Sequence, residues 1–190
     1  MNWEKKWLER IGLIAALVEK APGQTLGRTA VMKLAYFLQV LKKVPLGYDF
    51  RLHTFGPFDA DVLDDLAYAG VFGAVKERVV TQSAGYRYDI RLGKRWAEVQ
   101  DKSKAWLDQN REAIDWVIQE FGRCSAADLE LVSTIVFADR ENFKDGTKVS
   151  LEKLAKQVQA IKPRFTESYV LRECRKAMEK GFLNATSDES

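Results

Sequence analysis

The sequence predicts a mainly α-helical protein with a small β component, built as a winged-helix-like N-terminal unit followed by a helical C-terminal unit. Three observations carry this. Apolar residues recur at helical spacing along most of the 190-residue chain. Alternating side chains appear only in the first half, around residues 48–54 and 75–92. The resulting order over residues 1–95 is helix, helix, strand, helix, hairpin, which is that of a winged helix-turn-helix.

Each element has its own signals. Trp3, Trp7, Ile11, Ile14 and Val18 mark one face of a helix over 2–20. The Pro and Gly of APGQTLGR open a loop. Thr29 is placed to cap a second helix over 30–43, with Val31, Leu34, Ala35, Leu38 and Leu41 inward. Tyr48, Phe50 and Leu52 alternate with Asp49, Arg51 and His53, the pattern of a half-buried strand. Gly56-Pro57 turns the chain, with Phe55 and Phe58 expected to pin the corner to the core. Asp59 reads as the N-cap of a helix over 60–69, Asp61 suits the dipole of its first turn, and Gly70 reads as its C-cap glycine. Residues 75–80 and 86–92 flank TQSAG as a hairpin with a five-residue loop. On its second strand Tyr86, Tyr88, Ile90 and Leu92 share one face, and Arg87, Asp89 and Arg91 the other.

Residues 96–122 read as connecting helices, one or two in number, carrying Trp96, Trp106, Trp116 and Phe121. Residues 123–185 read as the helical C-terminal unit. Ser125 with Asp128 resembles a capping box. Ser150 caps a helix over 151–161, and Thr166 caps one over 167–180 that ends at Gly181. The buried face of the latter is Val170, Leu171, Cys174, Ala177 and Met178. Both units end in a helix, a glycine and an apolar pair, GVF at 70–72 and GFL at 181–183. Residues 186–190 are expected to be a disordered tail.

Composition narrows the function classes. With 46% hydrophobic residues a core can form, so wholesale disorder is excluded. No apolar run approaches the ~20 residues of a membrane helix, and MNWEKKWLER is too charged to lead a signal peptide. A cytoplasmic location is expected, with no membrane partner. Cys124, Cys174 and a single histidine make neither a disulfide framework nor a zinc pattern. No cofactor or metal is expected.

The net charge of +3 does not demand nucleic acid, but its distribution is uneven. Residues 56–75 hold four aspartates and no Lys or Arg, whereas residues 76–95 hold six basic and two acidic side chains. Residues 162–180 hold six basic and three acidic ones.

Catalysis is disfavoured. His53 beside Asp59, Asp61, Asp64 and Asp65 raises the idea of a metal-dependent hydrolase. However, Val62, Leu63, Leu66 and Ala67 claim the opposite side of that helix, so the aspartates read as a solvated face. No G-x-S-x-G, P-loop or G-x-G-x-x-G occurs. Duplex reading by the first unit is also disfavoured, because the helix before the wing carries aspartates where phosphate would approach. A nucleic-acid alternative rests on Arg87 and Arg91 of the wing and on Arg172, Arg175 and Lys176 of the last helix. Protein binding is the leading expectation. An acidic helix beside a basic hairpin steers a complementary partner, and the partner-facing candidates are Lys33, Tyr36, His53, Asp61, Asp64 and Asp65.

KLAYFLQ at 33–39, followed by FGPFDADVLDDLAYAGVF at 55–72, resembles the SocA/Panacea-type antitoxin domain and the related YwgA-like bacterial proteins. Lys33, Leu34, Tyr36, Phe37, Gln39, Phe55, Gly56, Pro57, Asp59, Leu66 and Gly70 fall on matching positions. DLELVSTIVF and the IKPRF and GFL segments resemble the C-terminal part of the YwgA-like branch. The resemblance implies a non-enzymatic bacterial or phage protein with a protein partner. In the antitoxin branch that partner is a toxin, presented to a protease by one member. Two departures point towards the YwgA-like branch: Phe55 stands where the antitoxins usually carry Tyr, and this chain has an added C-terminal unit.

Overall fold

The computed structural model describes residues 3–82, 85–144 and 146–186. The chain is mainly helical with a small β component and divides into two compact units. The first holds the residues up to Asp49 and Asp59–Ala126; the second holds Phe50–Phe58 and the residues from Ala127 onward. The segment 50–58, expected in the N-terminal unit, therefore belongs with the C-terminal helices. Among the described residues no helix is long and apolar enough to cross a membrane.

The first unit begins with α1 (Trp3–Lys20), whose Ile11, Leu13, Ile14, Leu17 and Val18 are all buried. A short 3-10 turn leads to a two-residue strand, β1 (Thr25–Leu26), and then to α2 (Arg28–Leu41). Thr29 is not the cap expected of it. Pairing of β1 holds the chain extended as far as Gly27, which becomes the N-cap with φ −90° and ψ 165°, without a side-chain bond. The expected strand at 48–54 is shorter too. Tyr48 pairs with a side chain instead of a strand: Gln39 accepts from its N–H at 2.9 Å and donates to its carbonyl at 2.8 Å. Only β2 (Arg51–His53) and β3 (Gly56–Phe58) form a ladder, and both lie in the second unit.

The first unit resumes at α3 (Ala60–Val71). Asp59 caps it as expected, accepting from the Asp61 N–H at 2.9 Å. Gly70 is not its stop signal. The helix continues to Val71, and Gly73 takes the left-handed conformation at φ +71°. The Gly73 N–H reaches the Gly70 carbonyl at 3.0 Å and the Ala74 N–H reaches that of Ala69 at 2.8 Å, a Schellman motif.

A hairpin follows, β4 (Val75–Gln82) and β5 (Gly85–Leu92), with β1 on the outer side of β5 in the order β1-β5-β4. The ladder runs on to Gln82 opposite Gly85, so three of the five expected loop residues are paired and the other two lie outside the described residues. The expected apolar face holds at Ile90, which is fully buried, but Tyr86 is exposed. Tyr88 is covered by the Arg28 guanidinium, which Glu77 clamps through two bonds of 2.6 Å.

Residues 93–121 form three helices, not one or two: α4 (Trp96–Lys102), α5 (Lys104–Gln109) and α6 (Arg111–Phe121). The breaks fall where side chains satisfy the ends. Ser103 Oγ donates to the Val99 carbonyl at 3.1 Å, and Asn110 Nδ2 donates to that of Trp106 at 2.9 Å. Gly12 of α1 sits against Ser103, so close that a Cβ would lie 2.0 Å from its Oγ. Phe121 stacks on Phe37 with centroids 4.0 Å apart.

The second unit packs the β2–β3 hairpin with α7 (Ala126–Phe143), α8 (Leu151–Ile161) and α9 (Glu167–Glu179). Ser150 and Thr166 cap α8 and α9 as expected. Gly181 has φ +73°, and bonds from Gly181 and Phe182 to Met178 and Ala177 repeat the Schellman pattern at 2.8 and 2.9 Å. The matching glycine of the first unit is therefore Gly73, not Gly70. Buried Asp139 accepts from the Asn184 and Ala185 N–H groups and from Asn184 Nδ2, the last at 2.9 Å. Thr186 pairs with Ser150 in a parallel bridge, so it is not part of a tail, and 187–190 lie outside the described residues. Burial pushes the Cys174 thiol up to about 12, with Asp139 and Glu173 adding to the rise. That thiol is inert at neutral pH.

Gly56-Pro57 is strand rather than turn, paired with His53 and Leu52. Phe55 does not pin the corner, being 63% exposed at the hairpin tip. The corner is instead held from below by Lys162, which donates to the Thr54 carbonyl at 2.7 Å and lies 3.9 Å from Glu130. Burial pushes the Lys162 ammonium below the ordinary lysine range; Glu130 opposes this and Arg164 adds to it. The native state thus sheds this proton at lower pH than the unfolded chain. Stability should rise with pH between the depressed native value and the ordinary one. Chemical unfolding of Lys162→Met across the alkaline range should lack that rise; an identical rise would assign it elsewhere.

Candidate functional site

The exposed face of α3 is set by the residues that bury the other. Val62, Leu66 and Ala69 are buried. Asp65 is buried with them, contrary to the solvated position expected, at 4% exposure. Two distant residues draw it in: Tyr48 Oη donates to it at 2.8 Å and Arg10 approaches to 3.4 Å. Arg10 is itself fixed by the carbonyls of Leu46 and Gly47, each at 2.9 Å, and lies over the Tyr48 ring at 4.1 Å. Burial raises the Asp65 carboxyl above its ordinary range; Tyr48 and Arg10 oppose this, and Asp61 and Asp64 add to it. Burial likewise raises the Tyr48 phenol, which keeps it a neutral donor. The cluster is a structural clamp on α3.

What remains outward is a stripe at 3-4-3 spacing: Asp61, Asp64, Tyr68 and Val71, all exposed. Its N-terminal half is acidic and its C-terminal half apolar. Val71 is 80% exposed, Tyr68 49% and neighbouring Phe72 41%. Trp7 of α1 meets both rings edge-on, with centroids 5.8 Å from Tyr68 and 4.9 Å from Phe72. Beside this stripe opens a groove of about 600 Å³ lined by Trp7, Leu8, Ile11, Tyr68, Phe72 and Val99, with Arg95, Glu98 and Lys102 adding a charged margin. An apolar concavity of this size takes one or two large side chains or a small apolar ligand.

The other expected partner residues are dispersed. Lys33 and Tyr36 are each 2% exposed, so neither presents a surface. His53 is exposed, but on the hairpin of the second unit, tilted against Phe58 at 5.2 Å. Of the six, Asp61 and Asp64 share the accessible stripe. The basic alternatives fall in separate units. Arg87 and Arg91 are exposed on β5, Arg87 pairing with Asp89 at 3.0 Å. Arg172 and Lys176 pair with Glu173 at 3.3 and 2.9 Å, and Arg175 lies 3.9 Å from Glu152. Among the described residues no group of three or more His, Cys, Asp or Glu side chains converges as metal ligands would.

Trp7, Tyr68, Val71 and Phe72 belong to the site although none was expected there. Their signal was present. Running α3 to Val71 extends the Asp61–Asp64 spacing directly to Tyr68 and Val71, and the misplaced stop at Gly70 hid that stripe. Compared with protein-family models, curated proteins and solved structures, the chain matches none.

Proposed function

We propose that the chain is a non-enzymatic cytoplasmic protein-binding module, antitoxin-like or regulatory, that docks a partner on α3 and the adjoining groove. The single observation that carries this is the exposed apolar end of α3 over an apolar groove, since surface patches of this kind mark interaction sites. The acidic end gives the partner its chemistry: a segment with an apolar anchor flanked by basic residues, steered by Asp61 and Asp64. The resemblance of 33–72 to SocA/Panacea-type antitoxins supports the same class of partner. The element order and the β1-β5-β4 sheet accord with a winged-helix arrangement of the first unit. In that arrangement α3 would be the DNA-reading helix, and it has aspartates but no Lys or Arg, which favours protein over duplex.

The test is affinity purification of the tagged full chain from nuclease-treated native lysate. Wild type should retain one stoichiometric protein. Asp61→Lys combined with Asp64→Lys should weaken its capture about tenfold or more, by reversing the steering charge. Equal capture by the double variant would reject the acidic half of the site.

A further inference from the structure

We infer a second binding surface, in the second unit and separate from the α3 groove: a stacking platform for unpaired bases of single-stranded nucleic acid, formed by Arg164, Phe165, Tyr169 and Arg172. The four side chains make a continuous ladder. Arg164 lies 4.8 Å from the Phe165 ring, and Arg172 lies 4.6 Å from that of Tyr169. The two rings lie nearly parallel, 10° apart, with centroids at 5.5 Å. Arg172 follows Tyr169 by three residues on one face of α9, and Phe165, just before the Thr166 N-cap, folds back onto the first turn as the apolar residue ahead of a cap commonly does. The Thr166 cap, accepting from the Tyr169 N–H, fixes where the helical part of the ladder begins.

Charge layering decides the ligand. The cations face outward: Arg164, Arg172, Arg175 and Lys176 have side chains 51%, 59%, 59% and 57% exposed. Their acidic partners lie beneath, with Glu130, Glu173 and Glu152 at 10%, 15% and 31%. A guanidinium has five donors, and these pairs occupy only some of them. Glu167 and Glu179 of α9 are exposed as well, so the outer layer keeps an excess of positive charge rather than being wholly cationic. The two half-buried rings stack on each other and are capped by the guanidiniums. The ladder therefore offers splayed bases the exposed planes of Arg164 and Arg172, which stack bases as aromatic rings do, and it offers their phosphates a positive outer layer. A duplex hides its base faces and gains only the electrostatic part of this surface.

The test uses the full chain and fluorescence anisotropy at about 50 mM salt, with labelled oligo(U), oligo(dT) and a duplex, each of about 12 nucleotides per strand. Single strands should bind saturably and more tightly than the duplex. Affinity should fall with salt at a slope of about −0.7 per phosphate neutralised. Tyr169→Leu, which keeps apolar packing and removes the ring beneath the Arg172 guanidinium, should weaken single-strand binding about 5- to 150-fold while lowering the melting temperature by no more than about 5 °C. Arg172→Gln should weaken it independently of Tyr169→Leu packing effects. Whichever of oligo(U) and oligo(dT) binds more tightly identifies RNA or DNA as the source. No saturable binding, duplex bound as tightly as single strand, or binding indifferent to both variants would overturn the inference.

Discussion

Replacing Asp65 by alanine should cost about 3 kcal/mol of folding stability, because it leaves a partly buried cation with only the exposed Asp61, 3.9 Å away, as counter-charge and a buried phenol without its acceptor. The residues are Arg10, whose side chain is 13% exposed, and Tyr48, at 6%. They come from α1 and the loop after α2, and both end on the same carboxylate oxygen, Oδ2 of Asp65. Asp65→Asn should cost less, since an amide oxygen still accepts from Tyr48. The two variants also separate the pH behaviour. The native carboxyl holds its proton to higher pH than the unfolded one. Its contribution to stability is therefore complete at acid pH and declines as pH rises through the window from the ordinary aspartate value to the raised native one. Urea unfolding of wild type relative to Asp65→Asn should show that decline and then a plateau. A cost below about 1 kcal/mol for the alanine variant would mean that Arg10 and Tyr48 find water instead.

Gly56→Ala should be the most damaging small substitution in the second unit, at about 2–5 kcal/mol from strain and overpacking together. Gly56 has φ +88°, a conformation that side chains with a Cβ resist. An added Cβ would also lie 2.8 Å from Thr134 Oγ1 and 3.3 Å from both the Glu130 carbonyl and Ser133 Oγ. Those atoms belong to α7, and two of them are already committed: Thr134 and Ser133 donate to the Glu130 carbonyl at 2.6 and 3.1 Å. The hairpin can approach α7 only because position 56 has no side chain. Gly181→Ala is the control. It has a similar φ of +73° and nothing within 4 Å of the added atom, so it should cost only the conformational part, about 1 kcal/mol. If the two variants unfold at the same denaturant concentration, the close approach to α7 carries no energy.

The parts of the fold legible in the sequence are those fixed by local chemistry. Asp59, Ser150 and Thr166 sit one residue before their helices, and each accepts a hydrogen bond from the first turn. Cap geometry needs nothing beyond three residues. Gly70 and Gly73 show the limit of that approach. Both lie near the end of α3, and only the sign of φ, set by the Ala74 bond to Ala69, tells the stop from a tolerated helix glycine. Asp65 was misplaced for a different reason. Helical spacing groups it with Asp61, but its partners stand 55 and 17 positions away, and no periodicity within α3 announces them. The Tyr48–Leu52 alternation failed similarly, since a Gln39 side chain occupies the place a neighbouring strand would take. The site was legible in its acidic half and hidden in its apolar half, which depended on where α3 ends and on Trp7 crossing from α1.

Docking of a partner protein on α3 and its groove can be read out by site-specific photocrosslinking in native cells. A benzophenone amino acid replaces Val71 in one variant and Val79 in another. Both positions are exposed, at 80% and 57%, and they lie on different elements of the same unit. Position 71 should give one discrete adduct, with a protein whose crosslinked segment is apolar and flanked by basic residues, and position 79 none. No adduct at 71, or the same adduct from both positions, would contradict it.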